Sequence, residues 1–352
     1  MASIAITGPT IETPAPPARV TFMDGLRALA IIGVVCTHSA RLLDSAPSDD
    51  PLAVAWIANV LHNGTVVFLF VAGFLFAHLT KPGWSYPYYL KMKWERVLTP
   101  FLFASAVLLL MQVQLPALSP GLVAEVVLVR GAGPALWYIP FVLLIYLLAP
   151  AFRAFRDADA KYRLAILAAS FVIGILVHRP ELNIDKLQAL AYFGFFYLAG
   201  IEASCRAPWL KRMVGGTMQL AVLAALLVLL AMTEGASIGY WGSYGEWFAD
   251  RPLNIRYLTN TVMIACLCSA CMVFPALNSG LMRQIADDSF GLFFVHNIVL
   301  LIAIRALGEI AVTGFYVLDL VLGSALVFSL SWLIVIAIRR VAGTYSRRLI
   351  GA

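Results

Sequence analysis

The chain has 352 residues, of which 61% are hydrophobic and only 12% charged, with a net charge of +6 and a mean hydropathy of +0.87. Soluble domains carry about twice that share of charge, so disorder, a coiled coil, a disulfide-stapled secreted domain and an ordinary water-soluble enzyme are excluded. Ionised side chains are costly in hydrocarbon, and a chain this depleted of them belongs to a polytopic membrane protein.

Residues 1–20 are rich in Pro, Thr and Ala and lack a basic start followed by an apolar core. They are expected to form a disordered tail rather than a cleaved signal peptide, leaving 21–348 as a single membrane domain. Apolar runs close to the roughly 20 residues of a spanning helix then follow at 24–42, 54–79, 97–114, 135–152, 163–178, 187–204, 215–232, 257–277, 289–306 and 316–338. The sixth is the weakest, because it opens at Asp185 and Lys186 and closes on Glu202. Segment 121–131 is too short to span, carries Glu125 and Arg130, and reads as a re-entrant or interfacial piece. The expected fold is all-α, a bundle of about ten transmembrane helices with both termini cytoplasmic.

The basic residues support that orientation. With the N-terminus inside, seventeen Lys and Arg fall on the inner side and seven on the outer, the bias of the positive-inside rule. They alternate with apolar stretches instead of forming a patch, so membrane lipids and not nucleic acid are the expected surroundings. Cys36, Cys205, Cys266, Cys268 and Cys271 lie in or beside apolar runs and imply no disulfide framework. Within CLCSAC (266–271), positions 266 and 268 point about 200° apart on a helix, so small packing residues are expected there and no metal.

The ionisable residues inside spans are more informative. Arg27 and His38 are eleven residues apart in the first span, which leaves them about 20° apart after three turns and about 16.5 Å apart along the axis. They share a face, Arg27 near the inner surface and His38 deep. Singly, Arg27 reads as a snorkelling anchor and His38 as an interhelical hydrogen bond; together they point to an internal polar site. Asp24, three residues before Arg27, is positioned to pair with it. Lys93 and Arg96 stand i, i+3 at the entry to the third span, with Lys91 beside them as part of one phosphate grip or as an ordinary inner anchor. Trp137 and Tyr138 fall near the outer end of the fourth, as an interfacial belt or a stacking surface for a sugar ring. Ser289 and His296 share a face of the ninth span, about 10 Å apart. His62, His78 and His178 lie near span ends and read as solvated, and Gly194 and Gly200 as packing residues.

Five stretches in order, FMDGLRALAIIGVVCTHSA (22–40), NGTVVFLFVAGFLF (63–76), KWERVLTP (93–100), LWYIPFVLLIYLLAP (136–150) and SFGLFFVHNIVL (289–300), resemble the signatures of the membrane acyltransferase-3 family. The first is its Arg or Lys, ten residues, then His. The resemblance covers 22–152 and 285–348 well and the middle spans weakly. It implies a bacterial inner-membrane enzyme that moves an acyl group, usually acetyl from acetyl-CoA, to a hydroxyl of a cell-surface glycan or its lipid-linked precursor, with a periplasmic protein as a further partner. Such a transfer needs a base, an oxyanion stabiliser and a grip on the donor. The resemblance implies His38 as base, acting directly or accepting the acyl group first, and Arg27, Lys93 and Arg96 on the CoA phosphates or thioester. His296 then orients the acceptor or stabilises the oxyanion, and Trp137, Tyr138 and Ser289 complete the acceptor side. A secondary transporter or flippase would share the span count, but its paired broken helices in two matching halves have no counterpart in this sequence.

The orientation is directly testable: a reporter fused after Ala352 is expected to read cytoplasmic, and a periplasmic signal would overturn the even number of spans.

Overall fold

The computed structural model describes residues 19–43, 64–80, 83–112, 119–180, 185–237, 245, 247–248, 254–308, 313 and 315–352. These residues are helical almost throughout, with a single bridge at Arg179. The expected tail, apart from Arg19 and Val20, lies outside the described residues, as do His62 and the first ten residues of the expected second span.

The first helix, α1, runs Thr21–Ser39 and continues as a tight turn to Leu43. It is followed by α2, Gly64–Leu79, and α3, Tyr86–Lys93. A π-helical turn, Trp94–Leu98, joins α3 to α4, Thr99–Gln112. Pro100 explains the widened turn, since it cannot donate to the carbonyl of Arg96, and the Thr99 hydroxyl covers the Trp94 carbonyl at 3.1 Å. Segment 121–131 becomes α5, Pro120–Glu125, with a second π-helical turn at Val126–Arg130.

The expected fourth span is broken into α6, Tyr138–Leu147, and α7, Ala149–Asp157, bent by 58°. Pro150 has no N–H for the helical bond across the break, which accounts for the bend. The chain continues through α8, Ala160–Leu176; α9, Lys186–Cys205; α10, Ala207–Val214; and α11, Thr217–Ser237. It ends with α12, Ile255–Val273; α13, Gly280–Leu307; α14, Tyr316–Ala342; and α15, Ser346–Leu349. Caps fix several starts: the Asp185 carboxylate accepts from the Leu187 and Gln188 amides, and the Asn254 side chain from the Tyr257 amide.

Six helical segments among the described residues are long and apolar enough to cross a membrane, or seven if bent α6–α7 is one span. The expected count of about ten includes three further segments: α2, with 16 described residues, α8, with 17, and α9, which carries Lys186 and Glu202.

The bundle is arranged around α1, which packs on α2, α12, α13 and α14. The most extensive interface pairs α2 with α9, and α2, which has no polar face, is buried except along a stripe that includes Phe68, Ala72, Leu75 and Leu79. Large apolar side chains on α8, α11 and α14, such as Ile166, Val222, Leu229, Val321 and Leu333, are exposed, a surface matched to hydrocarbon and not to water. In lipid, apolar contact alone gives little drive for association, so small residues and polar pairs carry it. Glu234 on α11 and Arg256 on α12 form such a pair at 2.7 Å, with Thr259 donating to the same carboxylate. Glu202 likewise receives Arg163 at 2.6 Å and Arg206 at 2.7 Å. Arg256, counted among the outer basic residues by sequence, is thus buried and paired. His178, expected at a solvated boundary, is also buried, because its segment docks on Gly245 and Trp247 and its carbonyl accepts from Gln188.

At the α2–α9 interface, a Cβ on Gly73 would collide with the Tyr197 backbone and one on Gly200 with the Phe70 carbonyl, whereas at Gly194 it would meet only Leu190 at 3.9 Å. Gly73→Ala and Gly200→Ala are therefore expected to destabilise by about 1–3 kcal/mol each. Gly194→Ala should be neutral or stabilising through helix propensity, worth up to about 1 kcal/mol. Thermal unfolding in detergent reads the order, and equal effects at all three positions would contradict the packing assigned here.

Candidate functional site

The site is built where α1 and α13 meet. The Arg27 guanidinium donates to the Ser289 hydroxyl at 3.1 Å, and that hydroxyl donates to the Ala286 carbonyl at 2.7 Å. Further along, the His38 and His296 rings stack at 5.6 Å between centroids with planes 28° apart. Two contacts in the same order mean that α1 and α13 run in the same direction. Arg27 to His38 spans about 16.5 Å of helix and Ser289 to His296 about 10.5 Å, and the length of the arginine side chain bridges the difference. Arg19 meets Asp287 at 2.8 Å, and a Cβ on Gly291 would touch Ala352. The start of α1, the first turns of α13 and the last residues therefore gather at one end of the bundle.

A cavity of about 530 Å³ opens beside this junction, within the usual range of small-molecule sites. Arg27, Lys93, Arg96, Tyr138 and Ser289 all line it. Four helices and a π-helical turn, remote in sequence, thus bring these expected site residues to one space. Lys93 and Arg96 do not project alike, because the widened turn begins between them. Lys93 points inward, its ammonium 4.5 Å from the Tyr146 ring centre and 5.2 Å from that of Tyr89, while Arg96 is exposed at the rim. Three positive side chains around a cavity otherwise faced by aromatic and aliphatic groups suit a ligand with anionic phosphates and an apolar part.

Neither histidine lines that cavity. His296 is fully buried, and its Nδ1 lies 2.9 Å from the Leu292 carbonyl. A carbonyl can only accept, so Nδ1 carries the proton and Nε2 presents its lone pair; Nε2 is buried with no hydrogen-bond partner. His38 is half-buried. Trp137 stands apart from its neighbour: its ring stacks on Phe193 at 5.9 Å and is covered by the Arg179 guanidinium at 5.1 Å. It forms a support behind Tyr138, not an open face.

Asp24 does not pair with Arg27. Its carboxylate receives Arg19 at 2.5 Å, because Arg19 precedes the helix and can fold back onto its first turn while Arg27 is held by Ser289. The CLCSAC run is packing, with the Cys271 sulfur 3.1 Å from where a Gly25 Cβ would lie. Sequence reasoning passed over Tyr89, Tyr146 and Tyr197, which line the cavity from three helices; tyrosine is common in spans and no spacing links them. It also passed over Asp288, which is buried beside Ser289 and accepts from the Trp332 indole at 3.0 Å and from Arg339. The available signal was an acidic residue set directly before the expected ninth span and next to Ser289.

The architecture is that of a polytopic helical membrane protein with a cation-lined cavity at one end of its bundle. A family profile described as an acyltransferase domain matches residues 20–336, and the chain belongs to the acyltransferase-3 family: it is a membrane acyltransferase. No curated protein and no solved structure gives a significant match.

The Asp288 cluster generates a test of sign. Arg339→Leu leaves a buried carboxylate without its cation, whereas Asp288→Asn removes the charge and keeps an acceptor for Trp332. The first is expected to cost about 1–3 kcal/mol and the second clearly less, by thermal unfolding of the purified variants. The reverse order would show that Asp288 does not depend on Arg339.

Proposed function

We propose that the protein transfers an acyl group, acetyl in the first instance, from acyl-CoA on the cytoplasmic side of a bacterial inner membrane to a hydroxyl of a cell-surface glycan or its lipid-linked precursor. The observation that carries this reading is the shared cavity of Arg27, Lys93, Arg96 and Ser289 beside a stacked histidine pair, in a chain of the acyltransferase-3 family. Arg96 at the rim and Lys93 within meet the CoA phosphates, which are anionic and demand cations or N–H donors. Arg27, fixed by Ser289, faces the thioester end and polarises the carbonyl as negative charge develops on its oxygen.

His38 takes the proton of the acceptor hydroxyl. As the new C–O bond forms, the C–S bond breaks, and the proton passes from the imidazolium to the departing thiolate, giving the ester and free CoA thiol. His296, with its proton committed to Leu292, has only an acceptor to offer in its neutral form. That suits it to orient the acceptor hydroxyl or the His38 ring and not to donate to an oxyanion. Tyr138 and Ser289 belong to the wall on which the reacting groups meet, with Trp137 behind them. A soluble periplasmic partner would receive or present the glycan.

The test is incorporation of labelled acetyl from acetyl-CoA by the purified protein reconstituted with membrane extract. His38→Ala is expected to lower kcat about 10²–10⁴-fold. Lys93→Gln and Arg96→Gln should mainly raise KM for the donor, about tenfold for each 1.4 kcal/mol of lost binding. Folded wild type, His38→Ala and Arg27→Ala proteins with identical rates would refute the assignment.

A further inference from the structure

On α13, Ser289, Phe293 and His296 are four and three residues apart and share one face. Ser289 lines the cavity and holds Arg27, whereas His296 is fully buried against His38 and outside the cavity lining. Phe293 occupies the rung between them. It lines the cavity, and its ring lies edge-on 5.8 Å from Tyr138 and 6.1 Å from the His296 ring, with Phe294 at 5.4 Å and Phe290 at 6.4 Å on its own helix. The side chain is 5% exposed. An aromatic wall thus separates the cations from the imidazoles.

We propose that Phe293 is a specificity-determining residue that restricts the transferred group to a short acyl chain and keeps bulk water from the thioester. The proposal rests on the acyl-transfer reading above and adds to it the size of the donor's acyl group. A thioester carbonyl held near Arg27 has to reach His38 and the acceptor past the edge of this ring. On the far side of the ring, where His296 is fully buried against His38, packing leaves no spare volume for a longer chain. A two-carbon acyl group places only a methyl against Phe293, whereas each further methylene has to displace the ring. Discrimination by one methylene in a well-packed site is roughly 10–200-fold in kcat/KM. The same wall matters for side reactions: water attacking the acyl carbon in place of the acceptor releases the free acid and CoA thiol, and a site closed by two aromatic rings suppresses that leak.

The experiment compares acetyl-, butyryl- and hexanoyl-CoA, each labelled in the acyl group, in membrane vesicles containing the full chain as wild type, Phe293→Leu or Phe293→Ala. Label entering the lipid and glycan fraction measures transfer, and thiol release without transferred label measures hydrolysis; vesicles lacking the chain set the background. The wild type is expected to prefer acetyl strongly. That preference over hexanoyl should fall at least tenfold in Phe293→Ala and by an intermediate factor in Phe293→Leu, with hydrolysis rising in the same order. A chain-length profile equal to wild type in either folded variant overturns the proposal. If Phe293→Ala does not fold, Phe293→Leu, which keeps an apolar side chain but removes the ring, decides it. A wild type that transfers no acyl group from any of the three donors defeats the acyl-transfer reading itself, and the proposal with it.

Discussion

A guanidinium on the first helix has to be satisfied inside an apolar bundle, and the arrangement of the molecule follows from how that is done. Arg27 reaches Ser289 across the α1–α13 interface. Because the contact joins residues near the start of both helices, it sets their register, and the His38–His296 stack closes the same interface higher up. The parallel direction of the two helices then requires an odd number of crossings between them, so the site constrains the topology of all that lies in the middle of the chain.

The polar groups divide into two kinds. Buried ion pairs such as Glu234–Arg256 and Glu202 with its two arginines tie peripheral helices to the core, where lipid offers no solvophobic drive for association. The cavity residues are the opposite case. Arg27, Lys93 and Arg96 surround open volume, and among the described residues no ion pair joins them to a carboxylate. Charge placed there without a fixed counterion is charge available to a ligand.

The sequence made the key spacings legible. The separations of eleven positions from Arg27 to His38 and seven from Ser289 to His296 are statements about helix faces, and the structure joins the two faces as a pair. What it did not disclose depends on tertiary choices. Tyr146 and Tyr197 have no local signature, because their role comes from three helices converging. The bend at Pro150 is written in the chain, yet an apolar run of sufficient length masks it. The charge that marked the sixth span as the weakest lies at both ends of α9, with Lys186 at its start and Glu202 in its last turn. Asp24 shows the limit of spacing arguments: two partners were available to it, and the one outside the helix won.

The glycines at 73 and 200 have a consequence beyond tight packing. With backbone against backbone, α2 and α9 cannot slide or tilt without losing contact along their length, so the cavity wall that carries Phe76 and Tyr197 is mechanically stiff. The facing wall is interrupted by a widened turn at Trp94–Leu98 and a break at Leu148. Compliance of the cavity is therefore one-sided, with the interrupted α3 and α6 side set against a stiff α2–α9 wall.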